Sequence, residues 1–267
     1  MKFALVNGCR TEAQPTMKGT CVHCPSITIA KCGPVKIWHW AHKSKASCDP
    51  WWEGETGWHR GWKDHFPVDW QEKGHIDSAT GERHVADIKT GSGLVIEFQH
   101  SVIESSETKS REDFYKEMVW VVNGARLKRD YPRFCKGFRS SLTSIQPGFF
   151  LFTSPKKYFS ATWLISSKPV FFDFLGNAPI NQAEKMRAPL WCLFPERVGW
   201  GYAVVARMSR DKFIEISSTA PHLLLAKDIL FRIAQQSPLI EVVKSEKRTR
   251  TKAICEFREN KFVKFKF

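Results

Sequence analysis

The sequence of 267 residues has no run approaching the ~18 consecutive apolar residues of a membrane-spanning helix, so a helical span is excluded and no membrane partner is expected. Its first residues, MKFALVNGCRTEAQ, carry one lysine and an apolar stretch too short for a secretory signal, which points to a cytoplasmic protein. It has no internal repeat and no low-complexity segment, so repeat arrays and linker-like chains are excluded. Acid is scarce: 27 Asp and Glu face 41 Lys and Arg, a formal charge of +14. A chain this basic meets nucleic acid, an anionic surface or an acidic partner. Hydrophobic residues at 42% and charged residues at 25% are ordinary for a folded protein, which excludes global disorder and fits one large domain or two to three small ones. Among the aromatics, 20 Phe and 11 Trp stand against 4 Tyr. Cations that hold phosphates, interleaved with rings that stack on bases, make nucleic acid the expected partner.

Five of the eight cysteines, Cys9, Cys21, Cys24, Cys32 and Cys48, fall in the first 48 residues. Without a secretory signal this crowding favours a metal site over a disulfide framework. In GTCVHCPSITIAKCGPVKIWHWAH, a Cys-x-x-Cys turn is followed by two short strands around a Gly-Pro turn. Four soft ligands suffice for tetrahedral Zn²⁺, with the metal replacing a core that so short a segment lacks. The expected set is Cys21, Cys24, His42 and Cys48, with His39 as the alternate and Cys9 and Cys32 further out. Cys135, Cys192 and Cys255 are scattered and apolar-flanked, as core cysteines are.

The pattern divides the chain into a Cys/His zinc-binding module (1–50), an α/β (α+β) core (51–125) and a basic, strand-rich C-terminal region (126–267). In the core, EGETGWHRGWKDHF reads as a helix; VDWQEKGHID, ERHVADIKT and LVIEFQ as three strands; SETKSREDFYKEM as a helix N-capped by Ser105 or Ser106; and VWVVNG as a buried strand. Further on, 126–147 reads as basic and irregular. FFLFT, SATWLIS, PVFFDF, LWCLF and GYAVVAR read as strands, SRDKFIEI as a short helix and HLLLAKDILFRIAQQ as an amphipathic one. Nine basic residues crowd the segment from Lys244 to Phe267.

The chemistry concentrates in RHVADIKTGSGLVIEFQHS. Alternation puts Glu97 and Gln99 on one face of a strand, and the Gly-rich turn before it can bring Asp87 beside Glu97. Two ionised carboxylates so close repel unless a cation joins them, and oxygen donors suit Mg²⁺ or Mn²⁺. In the preceding helix Glu55, His59 and Lys63 share one stripe at i, i+4, i+8, beside a buried stripe of Trp58 and Trp62. Glu55 is then a candidate third carboxylate, His59 a phosphate ligand or proton carrier, and Lys63 a partner for charge on a phosphate. Asp173, an acid in an aromatic strand, is expected to pair with an arginine or to join this site. His84 and His100 are expected to face away.

The segment HVAD…VIEFQHS, preceded by EGETGWHRGWK and followed by a Ser-Glu-rich start to an Arg…Tyr helix, resembles the competence protein CoiA-like family of the PD-(D/E)XK nuclease superfamily. The resemblance covers roughly residues 18–123 and includes the Cys-x-x-Cys and His-Trp-Ala-His of the opening. It implies a core of helix, three strands, helix and strand, with Asp87 and Glu97 as ligands of a catalytic Mg²⁺ and Arg111 near a phosphate. Arg111 equally fits a salt-bridged helix face with Glu107. Gln99 stands where most of the superfamily has lysine, and can orient a water but not take its proton. The implied activity is Mg²⁺-dependent hydrolysis of DNA phosphodiesters, in DNA uptake and recombination or in phage–host conflict. The alternative is a non-catalytic nucleic-acid-binding protein on the same scaffold.

Overall fold

The computed structural model describes residues 1–44, 48–51, 54–78, 80–141, 148–198 and 201–219. The amphipathic segment at 222–236, the basic tail from Lys244, Cys255 and Trp52 lie outside them. The protein is mixed α+β and mostly sheet, with a Cys/His cluster near its N-terminus.

The first 42 residues form a five-stranded antiparallel sheet: β1 (Phe3–Val6), β2 (Cys9–Glu12), β3 (Lys18–Thr20), β4 (Ile27–Lys31) and β5 (His39–His42), in the order β2-β1-β3-β4-β5. The β1–β2 hairpin turns on Asn7 and Gly8, both at positive φ (51° and 77°), the two-residue turn whose twist matches that of the strands. Trp40, fully buried among Met1, Ala4, Ala13 and Cys21, is the core of this small sheet.

Helix α1 (Gly57–Lys63) follows, then β6 (Gln71–Ile76), β7 (Arg83–Lys89), β8 (Val95–Gln99), α2 (Ser105–Tyr115) and β9 (Met118–Asn123). This is the order read from the sequence. The two helix starts differ from expectation. Thr56 is the N-cap of α1, its hydroxyl accepting from His59 N, so Glu55 precedes the helix instead of lying on its stripe. Glu104, not Ser105 or Ser106, is the N-cap of α2, with no side-chain cap.

The chain continues through α3 (Asp130–Arg139), β10 (Phe149–Phe152), α4 (Ala161–Ile165), β11 (Val170–Asp173), β12 (Leu190–Val198), β13 (Tyr202–Met208) and α5 (Arg210–Thr219). Two expectations are corrected here. The segment expected to be irregular contains α3, which buries Tyr131, Phe134 and Gly137 against the sheet. The strand expected over SATWLIS is the short helix α4, in which Trp163 packs against Trp120 (5.5 Å between ring centroids).

Strands β6 to β13 form one eight-stranded sheet, ordered β10-β13-β12-β11-β9-β8-β7-β6. β9 pairs in parallel with both β8 and β11. The boundary drawn at 125/126 therefore falls inside a single sheet. One face buries Trp58, Trp62, Ile96, Phe98, Val121, Phe171 and Phe213, and so seats α1 and α5. The other buries Phe114, Tyr115, Trp120, Phe134, Phe172 and Trp191 under α2 and α3. Val119 and Val121 face one way and Trp120 and Val122 the other, as strand alternation requires.

Asp173, at the end of β11, locks α1 in place. It is fully buried, and its Oδ2 accepts from Trp58 Nε1 (2.8 Å) and Trp62 Nε1 (2.9 Å). Its Oδ1 pairs with Arg210 and accepts from the backbone of Leu175 and Gly176. Of the two expectations for this acid, pairing with an arginine is the one observed.

Candidate metal centre and carboxylate cleft

Register places Asp87 opposite Glu97, because Ile88 pairs with Ile96 and Lys89 with Val95. Beyond that point each acid caps the backbone of the other strand. Asp87 N donates to Glu97 Oε1 (3.1 Å), and Phe98 N donates to Asp87 Oδ2 (3.0 Å). Side chains thus replace the ladder where it would continue, and both carboxyls are held at the wall of a cleft of about 740 Å³, including its open mouth.

The cleft is also lined by Glu55, His59, Lys63, Glu72, Gln99 and Arg111. Lys63, buried at the end of α1, lies 3.2 Å from Glu55 Oε1, 3.1 Å from Glu72 Oε1 and 3.3 Å from Asp87 Oδ1. Burial works against its charge, but the three carboxylates outweigh burial and hold it above the ordinary lysine range. Arg60 takes the second oxygen of Glu55 at 3.0 Å. Burial would raise the Glu55 carboxyl; Lys63 and Arg60 instead hold it low. Arg111 from α2 reaches Glu97 Oε2 at 2.9 Å and also pairs with Glu107. Burial and then Asp87 push the Glu97 carboxyl up to about 8, with Arg111 pulling the other way. Four carboxylates thus face three cations. Arg111 is both expected things at once, a salt-bridged side chain and a cleft residue.

Glu72 was not anticipated. The pairs Gln71–Ile88 and Lys73–Ala86 place it opposite Asp87. Its φ of 46° is left-handed, a conformation that costs a non-glycine residue about 1 kcal/mol or more. Burial opposes its charge, yet Lys63 and the backbone amide of Lys2 hold its carboxyl at about 2. Its oxygens accept from Lys2 N (2.7 Å) and Phe3 N (3.2 Å), tying β1 of the small sheet to the cleft. The available signal was the SATG turn, whose position sets which residue of β6 opposes Asp87.

His59 bridges within the protein. Its Nε2 lies 2.6 Å from the Phe98 carbonyl oxygen, and Nδ1 lies 2.9 Å from Thr56 Oγ1. Gln99 is buried on the same strand face as Glu97 and donates to the Ser101 carbonyl at 3.3 Å. His84 is held between Asp49 and Glu82, and Trp51 stacks on it at 3.2 Å. His100 bonds with Asn123. Neither histidine lines the cleft.

The second cluster is Cys21, Cys24, His42 and Cys48, whose ligand atoms all lie within 4.8 Å of one another. Cys24 Sγ is 3.4 Å from His42 Nε2, and Cys21 Sγ is 3.7 Å from Cys48 Sγ. Three thiols and an imidazole form a donor set that can hold a structural metal such as zinc. His39 is not a member; its Nδ1 bonds to the Ile37 carbonyl at 2.8 Å. Cys9 and Cys32 also stand outside it. Among the described residues this is the single group of three or more such ligands; the cleft acids do not converge to that degree. Asp49, next to Cys48, accepts from Val85 N and Trp51 N and pairs with His84, so the cluster is anchored to β7 two residues before Asp87.

Compared with protein-family models, characterised proteins and solved structures, the chain has no match. Among the described residues, no helix is long and apolar enough to cross a membrane.

Proposed function

We propose that this chain is a Mg²⁺- or Mn²⁺-dependent nuclease that hydrolyses DNA phosphodiester bonds, built on a CoiA-like PD-(D/E)XK core with Zn²⁺ in the Cys/His cluster. The observation that carries the reading is the reciprocal clasp of Asp87 and Glu97 at the wall of the cleft. Each carboxylate oxygen has two lone pairs, so one donor at each leaves capacity for a hard cation. Asp87 and Glu97 would hold the ion, with Glu55 behind them. Such an ion polarises a phosphoryl oxygen and makes a bound water more acidic. Lys63 positions Asp87 and adds positive potential where phosphate charge would build. Gln99 orients a water but cannot take its proton. His59 fixes the Phe98 carbonyl beside Glu97, and Arg111 orients Glu97 itself.

The test is cleavage of linear, circular and single-stranded DNA with Mg²⁺ or Mn²⁺. The parent cuts, and Asp87→Ala and Glu97→Ala reduce cutting by about 10²-fold or more, the scale on which electrostatic groups act in catalysis. If both variants cut as well as the parent, the reading is wrong.

A second reading, a nucleic-acid-binding protein without catalysis, has its own support. Lys63 and Arg111 already neutralise the two acids, and Gln99 is no base. DNA retained on a gel but never cut would assign it.

A further inference from the structure

The cleft uses little of the chain's positive charge. A different surface concentrates it. In α3 the buried side is Tyr131, Phe134 and Gly137, while Arg129 at the N-cap, Arg133 and Lys136 follow one another at i, i+4 and i+7 on the opposite stripe, with Arg139 alongside. The 3₁₀ turn Pro155–Lys157 adds Lys156 and Lys157, and Arg133 binds the turn by donating to the Lys157 carbonyl at 3.3 Å. All but Arg133 are exposed. Among the described residues none of the six joins an ion pair; the neighbouring pair is Arg187 with Glu184.

Part of this arrangement works against stability: Arg129 at the helix N-terminus opposes the dipole and repels Arg133 at i+4, whereas Lys136 and Arg139 in the last turn suit the dipole. Such local conflicts are expected where a surface serves a partner. A helix of 10 residues is about 15 Å long, the axial rise of four to five phosphates along one DNA strand. No large exposed hydrophobic side chain lies on the stripe, so the surface grips backbone without stacking on bases.

Its place in the fold gives its relation to the cleft. Phe134 packs on Trp191 of β12 (4.9 Å) and Phe152 of β10 (5.7 Å). Those strands are three and five places from β8 in the sheet. At about 4.8 Å per strand, the part of the sheet that seats α3 lies about 14–24 Å from β8, an offset of about four to seven base pairs within the sheet.

We infer that the α3 stripe and the Lys156–Lys157 turn form a sequence-independent binding surface for the phosphate backbone of duplex DNA, separate from the cleft. The inference rests on the nucleic-acid reading above but not on catalysis.

The experiment is fluorescence anisotropy of the full chain with a labelled duplex of about 20 base pairs, titrated in salt without added Mg²⁺ or Mn²⁺ so that cleavage does not enter. Arg129→Gln/Lys136→Gln lowers affinity about tenfold or more at moderate salt, and flattens log K against log salt by about 1.8, at roughly 0.9 for each phosphate no longer neutralised. Lys156→Gln/Lys157→Gln does the same, while Lys109→Gln, at an exposed cation of α2 paired with Asp113, binds as the parent does. A thermal melt equal to the parent's shows that the variants fold. Unchanged affinity and salt slope in both double variants overturns the surface. So does a loss confined to phosphatidylserine vesicles with DNA binding intact, which assigns a membrane instead. A parent that binds duplex through these residues but never cuts it sinks the nuclease reading and leaves this one standing.

Discussion

Glu72→Gln tests whether the buried charge network, rather than packing alone, holds the cleft together. The Glu72 carboxyl sits at about 2 in the folded chain, against an ordinary 4.5. At 1.36 kcal/mol for each pH unit, ionised Glu72 contributes about 3 kcal/mol at neutral pH. Because the folded value is the lower one, this contribution is complete above about pH 5 and disappears as pH falls toward 2. Glutamine cannot ionise, so the variant lacks it at every pH. Urea denaturation at pH 7 should show the variant about 3 kcal/mol less stable than the parent, and a repeat at pH 3 should show the deficit smaller by about 2 kcal/mol. In a chain of this size that is a melting decrease of about 6–12 °C at pH 7. Equal stability at pH 7, or a deficit that does not shrink on acidification, would refute the electrostatic account.

Asp173→Asn should remove the charge that balances Arg210 and disturb the acceptor shared by Trp58 and Trp62, costing about 3–5 kcal/mol. A lower melting temperature and a changed near-ultraviolet circular dichroism signal would report it; an unaltered melt would show that α1 is held by packing alone. For the Cys/His cluster, colorimetric zinc release should find one ion per chain. Cys21→Ser and Cys48→Ser should lose most of it, and His39→Ala should keep it. Metal lost on replacing His39 but kept on replacing Cys48 would reverse the ligand assignment.

Much of the core was readable because its signals are local. HVADIK and VIEFQ alternate, TGSG closes their turn, and the Trp58–Trp62 spacing marks the buried side of α1. The four residues of the Cys/His cluster were readable from spacing, with the choice between His39 and His42 left open. What escaped depended on partners distant in sequence. Glu72 joins the cleft only through the β6–β7 register and a left-handed backbone angle, which composition does not reveal. Helix α3 was obscured by its Pro132, its Gly137 and its cations. Gly137 is needed there because a Cβ would lie 2.5 Å from the Tyr158 ring. Trp and Ile in α4 favour strand, and a helix of five residues is too short to display a period. The first hairpin carried its own signal in Asn7–Gly8, which cysteine spacing does not register. The continuity of the large sheet rests on β9 accepting β11 as a parallel neighbour after a long crossover, a pairing between distant segments.

Cys48 and Asp49 are adjacent in the chain but belong to two different structures. One helps close the thiol cluster, and the other grips the strand that carries Asp87. Oxidising the thiols, or removing a metal they can hold, would slacken that grip and let the acid drift from its clasp. The state of the thiols would then be felt at Asp87 and Glu97 without any contact to either acid.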